Sequence, residues 1–442
     1  YLQELSGSSK SREVSAANAV GNNMADASDA GKIDALSAIY EYAAAQMPGT
    51  LDEKFDSWRY MSMLGNVKTH VRNVIGNAAF RPYVDVKRAI GSALERALPK
   101  EQRTKSVIGL GKKSRELLSW AKSDAKSKTV SEMMEYSGKS GDSAKSEIQK
   151  YRKIFKNEAL NKLSNANSNA LEAEDLFFKR SAYASSLAGF IKARGYSSSE
   201  VLDGKVPDQI LQEARSYAVN EAMKATFNDL NAFSKAVSQF GRKKSENRVM
   251  EAAKKVFFEG VLPFRKTPAN IVVRSVEYSP FGLVRAGYQY FSKVRDGEMT
   301  AAECMETLSA GLTGTGVYAL GALLGSLGVV RGGELGDDED RTGHQAYELV
   351  LGDTSVSLDW LAPAAIPFFM GVETQKAASG EYGDDTSAVT AIIYGAGNAM
   401  EPLLELSCLS SLNDLISSAR YTDDGNEIWS LIISSATSYL MQ

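Results

Sequence analysis

Residues 311–330, "GLTGTGVYALGALLGSLGVV", run for twenty positions without a charge. Twenty such residues can span a hydrocarbon core as a helix, and Gly321-x-x-x-Gly325 is a spacing that lets two helix backbones approach closely. Each of the six glycines costs about 1 kcal/mol relative to alanine in a water-exposed helix, so a bilayer or a tight bundle must offset the loss. Two environments satisfy that demand, a buried glycine-rich core and a membrane contact, and length does not separate them. The flanks do not decide either, because Arg331 is followed by the acidic run from Asp337 to Asp340. "WLAPAAIPFFMG" (360–371) is too short to span, and "AVTAIIYGAGNAM" (388–400) is equally ambiguous.

The acidic character of this region extends further. Residues 301–442 hold 4 of the 51 Lys+Arg and 20 of the 54 Asp+Glu, so residues 1–300 are left strongly basic. Such a split points either to an anionic partner, nucleic acid above all, or to neutralisation of one part by the other across an internal interface. With 442 residues the chain is long enough for two or three domains. Cys304 and Cys408 lie in no Cys-x-x-Cys or Cys/His cluster, which argues against a disulfide framework or a structural zinc. Neither end carries a start or stop signal, and the chain reads as a segment of a larger protein.

Periodicity predicts a mainly α protein: one or more multi-helix bundles, one small β-hairpin near 346–359, and the glycine-rich apolar C-terminal helical region. Residues 1–103 form an N-terminal helical region, with a polar lead-in to residue 30, a helix over 33–47 and a helical hairpin over 52–80. The Lys/Ser-rich stretch 104–150 reads as an insertion or linker. Long helices fill a basic bundle over 151–299, one stopping at Gly195 and one running from Pro207 to Gly241. Residues 300–442 make the acidic, apolar remainder.

Motifs of chemistry are scarce. "IGLGKKS" (108–114) resembles a phosphate loop in composition, but Ser106 stands where its first glycine belongs and Lys113 where its Ser/Thr belongs. Glu172, Glu174 and Asp175 could pair for acid/base work if burial split their pKa values, but Lys179 and Arg180 nearby suggest ordinary helix ion pairs. His70 and His344 have no second ligand at metal spacing, and no nucleophile turn is present. No cofactor, metal or enzymatic activity is expected; the alternatives are an enzyme using carboxylates such as Glu172 and Asp175, and a scaffold that only packs against neighbouring domains of the same chain.

The densest polar segment is "MLGNVKTHVRNVIGN" (61–77). Gly65-Asn66 supplies a turn between two helices, and Gly76-Asn77 with Pro82 ends the second. That hairpin leaves Arg59, Lys68, His70, Arg72, Asn73 and Asn77 as candidate structural or nucleic-acid contacts, the polar set tying the hairpin to its surroundings or facing a DNA groove. Gly321 and Gly325 are the candidate close-packing or membrane glycines.

"FDSWRYMSMLGNVKTHVRNVIGNAAF" (55–80) resembles the Trp-Arg-Tyr … Leu-Gly-Asn-x-x-Thr-His-x-Arg-Asn-x-x-Gly-Asn block of a large polyvalent protein-associated domain, the thirty-eighth of that series. "VLPFRKTPANIVVRSVEYSPFGLV" (261–284) and "YELVLGDTSVSLDWLAPAAIPFFMGVE" (347–373) are similar to two further blocks, and 104–147 matches none. The resemblance implies a module of very large proteins of bacteriophages, prophages and conjugative elements, travelling with DNA into a recipient cell. Its implied partners are other domains of the same polyprotein, DNA or virion proteins, to which the uncharged run 311–330 adds a membrane contact and membrane association as an expectation of its own. Its implied location is the virion, the host cytoplasm, or both. It implies no catalytic residues.

Overall fold

The structure, a computed structural model, describes residues 54, 67–137, 158–231, 266–333, 345–352, 354–358, 361 and 364–379. Of these, the side chains of 67–69, 72–73, 135–136, 159, 163–172 and 266–269 lie outside the description. The expected helix over 33–47, the first arm of the hairpin and the segment 388–400 also fall outside it. The chain divides into two compact units, residues 1–65 with 139–170 and residues 66–138 with 171–442. Neither division expected after residues 103 and 299 separates these units. The second unit holds two hydrophobic cores and the β-hairpin.

The protein is mainly helical with one small hairpin, as the periodicity predicts. The helices are α1 (Val67–Leu94), α2 (Lys112–Asp124), α3 (Lys128–Ser137), α4 (Glu158–Ala193), α5 (Ser198–Leu202), α6 (Asp208–Ala225), α7 (Lys266–Glu277), α8 (Pro280–Gln289), α9 (Ala301–Ser326) and α10 (Ile366–Ala378). Strands β1 (Glu348–Leu351) and β2 (Thr354–Ser357) pair antiparallel with Leu349 opposite Val356. Their turn uses Gly352 at φ +62°, a conformation that glycine adopts without a Cβ clash.

Helix α9 is the axis of the unit. A capping box starts it: the Thr300 N–H donates to Glu303 Oε2 at 2.9 Å, and the Glu303 N–H donates to Thr300 Oγ1 at 3.3 Å. Its glycines are where other backbones touch it. A Cβ on Gly311 would stand 2.7 Å from the Leu283 amide nitrogen of α8. One on Gly321 would overlap the Phe368 carbonyl of α10, and one on Gly371 of α10 would overlap the Tyr318 carbonyl of α9. Residues 311–326 therefore satisfy the buried alternative on one face. The opposite face, Leu312, Leu320, Leu323 and Leu327, is exposed. By length and composition alone α9 is also long and apolar enough to cross a membrane.

Three expectations are corrected. First, α1 does not stop at Gly76-Asn77 or Pro82 but runs through all three to Leu94. Pro and Gly inside a helix cost about 3 and 1 kcal/mol. Against that, Phe80 and Val84 are buried, and Phe80 packs on Phe227 and Tyr278 at centroid separations of 4.9 and 5.2 Å. Two such burials return about 1.5–3 kcal/mol each, so packing overrides propensity. Second, residues 104–137 are not a linker. Leu117, Ala121, Val130 and Met134 of α2 and α3 join Tyr183, Leu187, Phe190 and Met223 in one core. The polar filler of that stretch hid apolar positions at helical spacing. Third, α6 ends at Ala225 rather than reaching Gly241, because Phe227 takes φ +57° and turns into a second core with Phe80, Ile271, Ile366 and Phe369. The expected stop at Gly195 stands: its φ is +94°, and the Tyr196 N–H closes onto the Ile191 carbonyl at 3.1 Å.

Candidate functional site

Where α1, the extended segment after it, α6 and α9 meet, six charges converge. On α1, Phe80, Val84, Lys87 and Gly91 share one face at helical spacing, so Lys87 is aimed inward with the apolar residues. On α6, Glu221 lies in the same stripe as Ala214 and Ala218. On α9, Glu306 lies between Ala302 and Ser309. Gly91 leaves space for the Lys105 stem, which a Cβ would approach to 2.8 Å.

The result is a balanced set of three lysines and three glutamates. Lys87 Nζ reaches Glu221 Oε2 at 2.8 Å and Glu306 Oε1 at 3.5 Å. Lys105 Nζ reaches Glu95 Oε1 at 3.1 Å and Glu306 Oε2 at 3.5 Å. Lys224 Nζ reaches Glu306 Oε1 at 2.6 Å and Glu221 Oε1 at 3.1 Å. Glu95, with 0% exposure, also accepts the Thr104 and Lys105 amides at 2.6 and 2.8 Å. A charge buried this deeply without partners would neutralise itself.

Burial alone would raise the Glu306 carboxyl, but Lys224, Lys87 and Lys105 hold it well below the usual carboxylate range. Burial alone would lower the three ammoniums. Glu221 and Glu306 outweigh it at Lys87 and Lys224, and Glu306 and Glu95 outweigh it at Lys105, so all three stand above the ordinary lysine value. The buried phenols of Tyr217 and Tyr278 are pushed up by desolvation. These displacements all lead away from neutrality, whereas a general acid or base works best near the operating pH.

One wall of this cluster opens on a cleft of about 510 Å³. A second ion group lines it: Arg274 holds Asp229 at 2.6 Å and also bonds Glu277, which Arg285 reaches at 2.9 Å. A π-helical turn over Tyr290–Val294 follows α8 and places Gln289 and Lys293 on the same wall. Gln289 is 2% exposed, and its Oε1 has no hydrogen-bond partner.

The residues singled out by sequence are distributed elsewhere. His70 Nδ1 meets Glu174 Oε1 at 2.9 Å, so it does tie α1 to α4. Asn77 is buried beside Arg81, Arg88 and Phe178. Lys68, Arg72 and Asn73 lie on α1 with side chains outside the description, and Arg59 and His344 lie outside the described residues. Asp175 pairs with Lys179 at 3.2 Å, the i,i+4 contact expected, and accepts from Asn228 at 2.8 Å. The Glu172 side chain lies outside the description. Gly321 and Gly325 both face α10, with Val372 at 3.4 Å from a Cβ built on Gly325. Among the described residues no cluster of three metal-ligating side chains occurs.

The six central charges were missed by sequence reading, yet a signal exists. Lys87, Glu221 and Glu306 each sit on the buried stripe of their helix, where a lone charge demands a partner. Comparison of the chain with family models, with curated proteins and with solved structures gives no match.

Proposed function

We propose that this chain is a non-catalytic structural and interaction module, of the kind its resemblance to polyvalent-protein domains of phages and mobile elements implies. Its outward basic surface contacts nucleic acid or virion components, and its glycine-lined helix holds the module together. The observation that carries the reading is the division of charge around Glu306. That acidic side chain, from the acidic part of the sequence, takes three lysines of the basic part into a neutral interior. Part of the basic excess is thereby used for cohesion, and the cations left outside face solvent. The ionised state of the cluster also supports a non-catalytic role, since none of its groups with a displaced pKa moves toward neutrality.

The test is the affinity of the full chain for duplex DNA, measured by fluorescence anisotropy at several salt concentrations. Phosphate contacts release counterions, so log K should fall with log[salt] at about 0.9 per phosphate neutralised. Absence of binding, or binding indifferent to salt, removes the nucleic-acid half of the proposal.

A second reading concerns the outer face of α9, where Leu312, Leu320, Leu323 and Leu327 are exposed. With the inner face already held by α8 and α10, this stripe suits a neighbouring domain of the same polyprotein or the surface of a membrane. Flotation of the full chain with liposomes distinguishes the two.

A further inference from the structure

We propose that the outward face of α2 is the track that receives the phosphate backbone of a nucleic-acid duplex. This rests on the nucleic-acid reading above and gives it a place.

Helix α2 turns two contrasting faces. At 100° per residue, Lys112, Arg115, Ser119, Lys122, Ser123 and the following Lys126 fall within an arc of about 100°. All six are exposed. The opposite face is committed to the core, with Leu117 and Ala121 buried. These cations are fixed on a rigid helix rather than carried on a linker.

Of its four cations only Lys112 has a carboxylate at i±4, Glu116, where an ordinary solvated helix places several such neutralising partners. Residues 104–128 contain two carboxylates, Glu116 and Asp124. Both are used inward. Glu116 accepts from Ser198 Oγ at 3.2 Å. Asp124 accepts from Tyr183 Oη at 2.6 Å and from Arg215 Nε at 3.1 Å. The stripe therefore keeps four cations with no carboxylate in its arc. The buried lysines near Glu306 give the contrast, because every one of them is matched by glutamates.

The dimensions select the partner. From Lys112 to Lys126 the track is about 21 Å long at 1.5 Å per residue. Followed along its winding backbone, one duplex strand spaces its phosphates at roughly twice the 3.4 Å axial rise, so this length faces about three of them, within reach of four cations and two hydroxyl donors. A bilayer would be served by apolar side chains within the arc, and there are none. Such contacts position a duplex without reading its bases.

The experiment compares the full chain with its Lys112→Glu/Arg115→Glu/Lys122→Glu/Lys126→Glu variant, binding a duplex of about 30 base pairs across about 50–200 mM salt. The variant should bind about a hundredfold more weakly at the low end, with a log–log slope shallower by up to about 2.7 for about three lost phosphates. Two unrelated duplex sequences should behave alike. A matched pair of double variants, Lys122→Glu/Lys126→Glu and Lys100→Glu/Lys205→Glu, separates a local effect from net charge, and only the first should weaken binding. Should the quadruple variant fail to fold, the double variants and a Lys→Gln, Arg→Gln set at the same four positions give the same readout. If the wild-type chain binds with a salt slope that the variants leave unchanged, the track is overturned while the nucleic-acid reading stands. If the wild-type chain binds no duplex, both fail. If the variants lose binding to phosphatidylglycerol vesicles while the wild type ignores DNA, the surface is a lipid contact and the proposal is overturned.

Discussion

Replacing Glu306 by Gln removes one of three carboxylates and leaves three ammoniums facing two. The change is nearly isosteric, so packing is preserved and the loss is electrostatic. Breaking a buried ion pair by removing one partner costs about 3–5 kcal/mol. A domain is stable by only about 5–15 kcal/mol, so Glu306→Gln should lower the denaturation midpoint markedly. Denaturant titration followed by circular dichroism measures it, with Thr300→Ala, the loss of a helix N-cap worth about 1 kcal/mol, as comparison. The decisive variant is Glu306→Gln/Lys224→Met. Lys224 has its shortest contact with Glu306, and its removal leaves the pairs Lys87–Glu221 and Lys105–Glu95 intact. The double variant should recover stability relative to Glu306→Gln, with a coupling of at least about 1 kcal/mol. Additive or worse destabilisation would refute the claim that balance of charge holds this junction. The pH dependence follows the same logic. Glu306 is held below its unfolded value, so its contribution is present above about pH 4.3 and is lost as pH falls through the folded value. The three lysines are held above theirs, so their contribution is complete below about pH 10.4 and is lost at higher pH. The contribution of this cluster to stability should therefore be flat between these limits.

Other substitutions probe the packing. Gly371→Ala and Gly321→Ala each drive a methyl group into a facing carbonyl and should destabilise by about 2 kcal/mol or more in thermal melts. Gly316→Ala, exposed on α9 with no atom within 4 Å of the new methyl, should instead stabilise by about 0.5–1 kcal/mol. Pro82→Ala on the exposed side of α1 should raise stability by up to about 3 kcal/mol, since it restores a helical hydrogen bond without losing buried surface. No gain there would mean that Pro82 has a further role in α1.

The mainly helical class, the hairpin at Gly352 and the stop at Gly195 were legible because periodicity and left-handed glycines are local signals. The passage of α1 through Gly76 and Pro82 was not, since the aromatic contacts of Phe80 come from residues about 150 to 200 positions away. Residues 104–137 were misread for the opposite reason. Their composition is that of a linker, and only Leu117, Ala121, Val130 and Met134 at helical spacing betray two packed helices. The charge split in the sequence was a sound lead with two readings. The structure brings basic and acidic parts together at Glu306, a convergence that no local pattern could pair. His70 could be singled out as a tether, but its partner Glu174 lies 104 residues on.

The central claim is that the lysines divide into an inner set neutralised by glutamates and an outer set free to meet a partner. Time-resolved acetylation of the native full chain, read lysine by lysine by mass spectrometry, measures this directly. Lys87 and Lys105, 7% and 3% exposed at the side chain, should stay unmodified until the protein unfolds. Lys112, Lys122 and Lys126 should react within the first time points. Added duplex should then protect these outer three and leave the inner pair as before. Reaction of Lys87 and Lys105 at the rate of Lys122 would contradict the account.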